Sequence, residues 1–379
     1  MRTGIIGLGD RSGHLVTAFH TIIPNCQFVA YADPQPARLG ALEAKGIPMG
    51  QGYASHLDML RQERLDLVIV ASPNHLHLEH IRACLNAGVR VFAEKPVVRT
   101  EAESFLLMDL LKVHGRDAVM VGLVLRYAPL YKALMAALRA GQLGDVLSLE
   151  AAEHIAPEHG AFFHRDWRRH QDHSGGFMLE KCCHDLDIYN SVMGCRPRRV
   201  ASFGGKRHFV AARQALESDP VYHQRQSRWG GGERAFGSDS DIVDHQVALL
   251  EYENGAQMAF HTNMNVPDEY RRFCVVGTDG MAEGDFVRNF LKVHDARSAA
   301  CLLDTNFALG DPTVSIHYGA EELMAQEVHE HLHLGQPLPV SVLDALTAGL
   351  TAIKLDEARV MGQVLDLSPM WDRFDAYAL

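Results

Sequence analysis

The first 33 residues place a strand, a glycine turn, a helix and a second strand in one uninterrupted order. RTGIIGLG at 2–9 is an apolar run that ends in glycines, and apolar residues recur at helical spacing over 10–23. CQFVAYAD then predicts a second strand that ends at Asp33. This order predicts the beginning of a doubly wound parallel sheet.

The glycine turn is suited to a dinucleotide. Gly7 and Gly9 let the backbone turn tightly and approach a pyrophosphate, whose charge then lies at a helix N-terminus. Asp33 follows Gly9 by 24 residues, where a carboxylate accepts hydrogen bonds from a ribose diol. A purely structural turn is the alternative, and the combination of all five features favours the dinucleotide site.

Two details of the turn refine this prediction. The third glycine of the usual fingerprint is replaced by Ser12, and Gly13 comes one place late, which loosens helix–strand packing but keeps the phosphate site. Asp33 would repel a 2′-phosphate, and the next residue is Pro34 and not an arginine. The predicted cofactor is therefore NAD.

Strands and helices continue to alternate up to Tyr127. LDLVIV, VRVFAEKP and DAVMVGLVLRY are the predicted later strands, with helices between them. Ligands bind beyond the carboxyl ends of such strands. Ser72-Pro73-Asn74 and Glu94-Lys95-Pro96 both follow a strand, and we expect both to line the nicotinamide side.

Length and composition limit the possible classes of protein. The 379 residues suit two domains, which we assign to 1–123 and 124–379, the second richer in antiparallel-looking strands. Lys+Arg 36 against Asp+Glu 47 gives a net charge of -11, which argues against nucleic-acid binding. No apolar run is long enough for a membrane span, and we find no signal peptide. Seven irregularly spaced cysteines favour reduced thiols and a cytoplasmic protein.

GGFMLEKCCHDLD at 175–187 admits three kinds of chemistry: a metal site, a thiol nucleophile or acid/base catalysis. We expect one helix after the glycines, with Glu180 and His184 four residues apart on one face. Cys182 and Cys183 would point about 100° apart and could not both bind one ion with His184. Buried helix cysteines are usually small core residues. Acid/base chemistry is therefore favoured, and no metal is expected.

Several short motifs occur together in a characteristic order: GLGDRS, AD at 32–33, ASPNHLHLEH, AEKP, RY at 126–127, GQLGD at 141–145 and SGG…E…H..D at 174–187. With them the chain resembles the Gfo/Idh/MocA oxidoreductases over nearly its whole length. The resemblance implies an N-terminal Rossmann domain and a C-terminal α/β domain with a large, mostly antiparallel open sheet. It also implies that a C-terminal helix at about 343–363 packs on the Rossmann domain and that the protein is a homodimer or homotetramer.

The resemblance also implies roles for individual residues. Oxidation of a secondary alcohol by NAD releases a hydride and a proton, and the proton needs a base. Lys95 would hydrogen-bond the substrate oxygen, and His184, oriented by Glu180, would hold the proton. Glu180 is one methylene longer than the commoner Asp, so the base stays open between His184 and Lys95.

Two sets of contacts follow from the motifs and the resemblance. The predicted cofactor contacts are Gly7, Gly9, Asp10, Arg11, Ser12, Asp33, Ser72, Pro73, Asn74, His77, Glu94, Lys95, Trp167 and Arg168. The predicted substrate contacts are Lys95, Arg126, Tyr127, His164, Arg165, Glu180 and His184. The cations at 162–173 could equally form a solvated face. The Gly-rich stretch 206–241 is interpreted as a flap over the pocket or an oligomer contact.

The expected function is NAD-dependent hydride transfer with a sugar, polyol or cyclitol. One alternative is a redox glycosidase that oxidises an anionic glycoside transiently, and another is a non-catalytic NAD sensor. Which sugar is used, which carbon is oxidised and the physiological direction are not predicted.

Overall fold

The structure, a computed structural model, describes residues 1–225, 232, 234–308 and 317–379. The chain forms two compact units. The first consists of Met1–Pro129, Ala308–Leu346 and Tyr377–Leu379, and the second of Leu130–Phe307 and Thr347–Ala376. The assignment of Ala308–Leu346 to the first unit was not foreseen, since the sequence led us to expect only a helix at about 343–363 to pack there. The packing of that helix and the boundary after residue 123 stay predictions.

Helices and strands cover most of both units. The strands are β1 (Arg2–Ile6), β2 (Gln27–Ala32), β3 (Gln51–Tyr53), β4 (Leu67–Val70), β5 (Arg90–Ala93), β6 (Val119–Val121), β7 (Val146–His154), β8 (Pro197–Gly205), β9 (His245–Tyr252), β10 (Gln257–Asn263), β11 (Tyr270–Gly277), β12 (Gly280–Asp285), β13 (Phe290–Asp295), β14 (Cys301–Asn306) and β15 (Leu365–Asp366). The helices are α1 (Asp10–Ile22), α2 (Leu39–Ala44), α3 (His56–Gln62), α4 (His77–Asn86), α5 (Glu101–His114), α6 (Pro129–Arg139), α7 (Pro157–Arg165), α8 (Gln171–Ser174), α9 (Phe177–Glu180), α10 (Cys183–Met193), α11 (Ala320–Leu334), α12 (Val342–Met361) and α13 (Ser368–Asp375).

The first unit contains a parallel sheet. Within the described ranges its six strands have the order β3-β2-β1-β4-β5-β6. All four residues of β4 are buried, as expected where helices cover both faces of a sheet. Phe19 of α1 packs edge-on against Phe92 of β5, with ring centroids 5.3 Å apart. The predicted doubly wound fold is confirmed, and its strand order reverses between β1 and β4, where such sheets bind ligands.

The predicted last strand of this sheet is too long. β6 ends at Val121, and Val124–Tyr127 form a 3-10 helix, closed by a bond from the Arg126 N–H to the Leu123 carbonyl. Arg126 and Tyr127 are both buried. The prediction that these two residues end a strand is therefore wrong. The pairing of β6 with β5 stops at Val121, and the chain turns after it. Their role as substrate contacts stays a prediction.

The second unit contains a larger sheet. Among the described residues its nine strands have the order β14-β13-β12-β11-β7-β10-β9-β8-β15 and are antiparallel except for β7 with β10. This confirms the predicted mostly antiparallel sheet. Tyr252 of β9 is buried and donates to the Asn190 side chain of α10 at 3.0 Å. The sheet thus supports the helix that carries His184.

The opposite face of this sheet carries exposed apolar side chains on β8 and β9. Phe203 of β8 is 71% exposed, and Val247 and Leu249 of β9 are 36% and 54% exposed. Phe203 and Val247 are direct cross-strand partners, so these side chains lie together. A homodimer or homotetramer stays a prediction.

The stretch 206–241 is anchored in its described part. The Asp244 carboxylate accepts hydrogen bonds from the backbone N–H groups of Arg207, His208 and Phe209. The rings of Phe209, Tyr222 and Phe236 pack together with centroids 4.9 to 6.2 Å apart. Residues 226–231 and 233 lie outside the described residues. A role as flap or oligomer contact stays a prediction.

Candidate active site

The glycine turn after β1 needs a residue without a side chain. Gly7 has φ +89°, and a Cβ there would lie 2.6 Å from the Ser72 nitrogen and 2.7 Å from the Ala71 carbonyl carbon. Both the conformation and the close approach of two backbones therefore require glycine. Gly9 precedes α1, whose N-terminus has no side-chain cap and leaves N–H groups available to an anion.

Asp33 ties the end of β2 to this turn. Its carboxylate accepts hydrogen bonds from the Leu8 N–H at 2.6 Å and the Gln35 N–H at 2.7 Å. Each carboxylate oxygen accepts more than one hydrogen bond, so capacity is left for a ribose diol. Ser12 is buried and donates to the Gly9 carbonyl at 2.9 Å, which closes the first turn of α1. The turn and the carboxylate together fit a dinucleotide.

Arg11 is held by two carboxylates from distant parts of the chain. Its Nε lies 2.8 Å from Glu94 Oε1, and its Nη1 lies 2.6 Å from Glu321 Oε1 of α11. Burial lowers the pKa of Arg11, but the two carboxylates outweigh it and raise that pKa above its ordinary value. His317 also lies within 3.4 Å of the guanidinium. Asp10 instead pairs with the exposed Arg38.

The polar residues after β4 and β5 are linked to each other. The His77 ring lies 2.8 Å from the Ser72 carbonyl oxygen through Nε2 and 2.9 Å from the Pro96 carbonyl oxygen through Nδ1. The Lys95 N–H donates to the Glu94 carboxylate at 3.1 Å. These residues lie at the same edge of the sheet as Gly7, as the sequence predicted. Pro73 and Asn74 precede His77 in the same loop.

In the second unit a guanidinium holds the predicted catalytic glutamate. Arg168 Nε donates to Glu180 Oε1 and Nη1 donates to Asp166 Oδ1, both at 2.7 Å. Burial lowers the pKa of Arg168, but the Glu180 and Asp166 carboxylates outweigh it and raise that pKa above its ordinary value. The Trp167 ring centroid lies 4.3 Å from the guanidinium carbon. This arrangement fixes one carboxylate oxygen of Glu180.

The predicted single helix through this site is wrong. The Cys182 N–H donates to the Met178 carbonyl of α9. The Cys182 carbonyl in turn accepts hydrogen bonds from the N–H groups of Asp185 and Leu186 in α10. Cys182 has φ -87° and ψ -1°, which departs from helical geometry. Glu180 and His184 therefore lie on two consecutive short helices and not one turn apart on one.

Tertiary contacts at the break explain the departure. The Lys181 ammonium lies 3.1 Å from the Glu153 carboxylate of β7, and the Cys182 thiol donates to the Thr262 hydroxyl of β10 at 3.7 Å. Both side chains thus contact strands of the sheet at the point where the chain passes from α9 to α10.

A second close approach fixes the start of α9. Gly176 has φ +89°, and a Cβ there would lie 2.7 Å from the Asp356 carboxylate of α12. Burial raises the pKa of Asp356, although the neighbouring Arg359 opposes this. The absence of a side chain at Gly176 thus allows the buried Asp356 carboxylate to lie close to the backbone at the start of α9, the helix that carries Glu180.

A buried ion cluster lies beneath His184. The Arg271 guanidinium of β11 contacts Glu153 and lies 3.0 Å from Asp185 Oδ1. Burial raises the pKa of Asp185 to about 7, although Arg271 opposes this. His184 itself is 4% exposed. The backbone that carries His184 is therefore held by a charged layer between helix and sheet.

His164 and Arg165 serve contacts within the second unit. His164 is fully buried, with Nδ1 2.7 Å from the Ser240 hydroxyl and its ring stacked on Phe209. Arg165 Nη2 donates to the carbonyls of Tyr222 and Arg225 at 2.7 and 2.8 Å. These contacts favour a structural role, and substrate binding by either residue stays a prediction.

The structure places the predicted residues in both units: the glycine turn and the loops after β4 and β5 lie in the first, and Arg168, Glu180 and His184 lie in the second. Sequence reasoning missed Glu321, Asp356 and Arg271, because their partners are distant in sequence and no local motif marks them. Among the described residues, no three His, Cys, Asp or Glu side chains are grouped to hold a metal ion. No described helix has the length and apolarity that crossing a membrane requires.

Comparison with known families matches both parts of the chain. A model described as an oxidoreductase family with an NAD-binding Rossmann fold matches residues 1–123. A second model, the GFO/IDH/MocA C-terminal domain, matches residues 131–283.

Individual relatives are more distant. Inositol 2-dehydrogenase of Acidothermus cellulolyticus is 28% identical over 216 residues, 56% of this chain and 59% of that protein, so the match spans less than two thirds of its length. The 2,7-anhydro-N-acetylneuraminate hydratase of Mediterraneibacter gnavus is 27% identical over 290 residues, 72% of this chain and 68% of that protein. A structure of levoglucosan dehydrogenase in complex with NADH superposes with a TM-score of 0.78 at 18% identity, covering 97% of this chain and 98% of that one.

The glycine turn, the Asp33 carboxylate bonded to it, the two sheets and both family models agree with one another. NAD is accordingly the cofactor of the first unit, and the chain is an enzyme that belongs to the Gfo/Idh/MocA family of oxidoreductases.

Proposed function

We propose that this protein is a dehydrogenase that transfers a hydride between a secondary alcohol of a sugar, polyol or cyclitol and NAD. The observation that carries the proposal is the position of Lys95. It follows β5 at the same edge of the parallel sheet as the Gly7 turn after β1. An ammonium group at that edge is suited to a substrate oxygen beside the cofactor.

Different residues of the chain perform different parts of the reaction. NAD, when bound, supplies the hydride acceptor. Lys95 hydrogen-bonds the substrate oxygen and stabilises charge that develops on it. The proton is taken up by one of two candidate bases, Lys95 or His184, and imidazole suits this role because it titrates near neutral pH. Glu180, held by Arg168, orients the catalytic groups.

Substitution of the two candidate bases tests these roles. We expect Lys95→Met and His184→Asn each to lower kcat at least roughly 100-fold, the usual effect of losing a general acid or base. The dissociation constant for NAD, measured by calorimetry, should change less than about threefold. The matched controls are Lys45→Met and His20→Asn, which replace exposed residues of the same types and should leave kcat unchanged. Full activity in either active-site variant would contradict the assigned roles.

The substrate panel follows from the relatives. Inositols and levoglucosan come first, because proteins similar to this chain bear those names. Other hexoses, polyols and uronates complete the panel. Formation of NADH with a member of the panel supports the proposal, and its absence with every member would contradict net dehydrogenation.

One observation favours a second candidate. A similar protein bears the name of a hydratase and not of a dehydrogenase. Bound NAD would accept the hydride and so acidify the adjacent C–H; a base of the chain would take that proton as the glycosidic group leaves, water would add to the unsaturated ketone, and the hydride would return. Release of an aglycone that depends on NAD, without net NADH, would identify this redox glycosidase. Binding of NAD with neither reaction would identify a sensor.

A further inference from the structure

The histidine that begins α4 bridges two loops at the carboxyl end of the parallel sheet. His77 is 1% exposed. Its Nδ1 lies 2.9 Å from the carbonyl oxygen of Pro96, after β5, and its Nε2 lies 2.8 Å from the carbonyl oxygen of Ser72, after β4. One ring therefore links the loop that carries Lys95 to the loop that lies against Gly7.

Both partners of this ring accept hydrogen bonds and cannot donate them. A neutral imidazole has one N–H group and one bare nitrogen. A neutral His77 would bond one carbonyl and direct a lone pair at the other, and a buried acceptor without a donor is costly. Turning the ring over about its Cβ–Cγ bond would replace both nitrogens by carbons. Only the imidazolium form donates to both carbonyls.

We propose that His77 is held as an imidazolium whose two N–H groups clamp the Ser72 and Pro96 carbonyls and so position Lys95. It acts through the backbone of the residue next to Lys95 and is therefore a positioning residue. Its effect on turnover rests on the proposed dehydrogenase function, whereas the protonation state of the ring can be tested without any substrate.

The groups around the ring are compatible with one cation at this point. The neighbouring titratable side chains are His56 of α3, His75 before α4, Glu79 and His80 of α4, and Glu94 and Lys95 after β5. Burial, followed by the charges of His56, His77 and His75, lowers the pKa of His80 to about 3. His80 is therefore neutral, with its Nδ1 2.9 Å from the Ser72 hydroxyl. The Glu94 carboxylate lies in the same loop as Pro96.

The first experiment observes the ring directly. The full chain is labelled with ¹⁵N in its histidines, and ring nitrogens are recorded by NMR at about pH 8, where an ordinary histidine with a pKa near 6.5 is neutral. We expect both His77 nitrogens to carry protons at this pH. The signals are assigned by their loss in His77→Gln and their persistence in His20→Gln, a control at an exposed site. If His77→Gln does not fold, ring-to-backbone correlations assign the wild-type signals. A neutral His77 ring would overturn the proposal.

The second experiment measures the consequence for turnover. The glutamine side chain has one donor atom, its amide nitrogen, and one acceptor atom, its carbonyl oxygen. Its two polar atoms therefore cannot both replace the ring N–H groups that donate to the two loops. We expect His77→Gln to lower kcat roughly 10- to 100-fold, the effect of a small misplacement of a catalytic group. Because His77 is also a predicted cofactor contact, kcat is measured at saturating NAD, so that its loss reports on the position of Lys95. An unchanged kcat would overturn the positioning role. If the wild type oxidises no alcohol, the dehydrogenase proposal fails, and the NMR result still decides the state of His77.

Discussion

The two units hold their candidate site residues by different physical means. In the first unit the partners are mainly backbone groups, with the exception of Arg11, which binds the carboxylates of Glu94 and Glu321. Asp33 accepts from the Leu8 N–H, the Gly7 backbone lies against Ser72, and His77 bonds two carbonyls. Such a site depends on the path of the backbone, and that path is set by the order of strand, turn and helix in the sequence.

In the second unit the partners are charged side chains from separate elements. Arg168 binds Glu180 of α9, and Arg271 of β11 binds Asp185 of α10. Such a site depends on each partner, because a buried charge that loses its counterion is strongly destabilising. The comparison teaches that the first site should be sensitive to an added Cβ and the second to a removed charge.

Removal of the Arg168 charge should have the largest effect. Arg168→Met leaves the Glu180 and Asp166 side chains, 5% and 3% exposed, without this guanidinium. We expect the free energy of unfolding to fall by about 3–5 kcal/mol, measured by urea denaturation. The matched control is Arg169→Met, whose partner Asp239 is 66% exposed, and which should cost about 1 kcal/mol or less. Equal losses in the two variants would show that burial of the partner carboxylates does not set the cost, and the second site would not depend on charge as described.

Addition of a methyl group at Gly7 should have the next largest effect. In Gly7→Ala the Cβ meets the Ser72 nitrogen at 2.6 Å, and the positive φ adds strain. We expect NAD binding to weaken roughly 100-fold, or by about 2.7 kcal/mol, measured by fluorescence titration. Gly13→Ala is the control, since its nearest neighbour is a side-chain carbon of Arg38 at 3.4 Å. Tight NAD binding by Gly7→Ala would show that the turn is not the phosphate site.

The third effect concerns pH and is the smallest when it is expressed per pH unit. Burial lowers the pKa of His164 to about 3, so the folded protein does not protonate it between pH 3 and about 6.5, whereas the unfolded chain does. Stability from this residue is therefore present above about pH 6.5 and lost as the pH falls toward 3. In His164→Phe the pH dependence of the unfolding free energy should weaken by about 1.4 kcal/mol per pH unit between pH 4 and 6.

This pH effect is compared with that of His20→Phe, which replaces an exposed histidine and should leave the slope as it is in the wild type. Urea midpoints at several pH values give both slopes. If the slope of His164→Phe matched the wild type, His164 would titrate normally and the buried contact with Ser240 would not control its proton.

Much of the first unit could be predicted from sequence, for a physical reason. Gly7, Asp33 and the residues after β4 and β5 belong to a contiguous alternation of strands and helices, and the carboxyl ends of parallel strands meet at one edge. Each position is specified by its own segment. The length of the last strand was predicted wrongly, because Val124–Tyr127 are apolar enough for a strand but turn into a 3-10 helix.

The second unit was less predictable around its site. Its strands follow from alternation of buried and exposed residues, as in β9. The break between α9 and α10 could not be predicted from such a pattern, because apolar residues occur at helical spacing on both sides of the break. Lys181 and Cys182 are drawn to the sheet by Glu153 and Thr262, and these contacts override the local pattern.

From the sequence alone came the parallel sheet, the antiparallel-looking strands of the second part, the turn that approaches a phosphate and the residue types needed for acid/base chemistry, because each of these is encoded in a short segment. Only the tertiary structure decided which charges meet. Glu321 lies 310 positions from Arg11, and Asp356 reaches the backbone at Gly176 from another helix. An ion pair between distant segments leaves no periodic trace in either of them, since it depends on how the whole chain is folded.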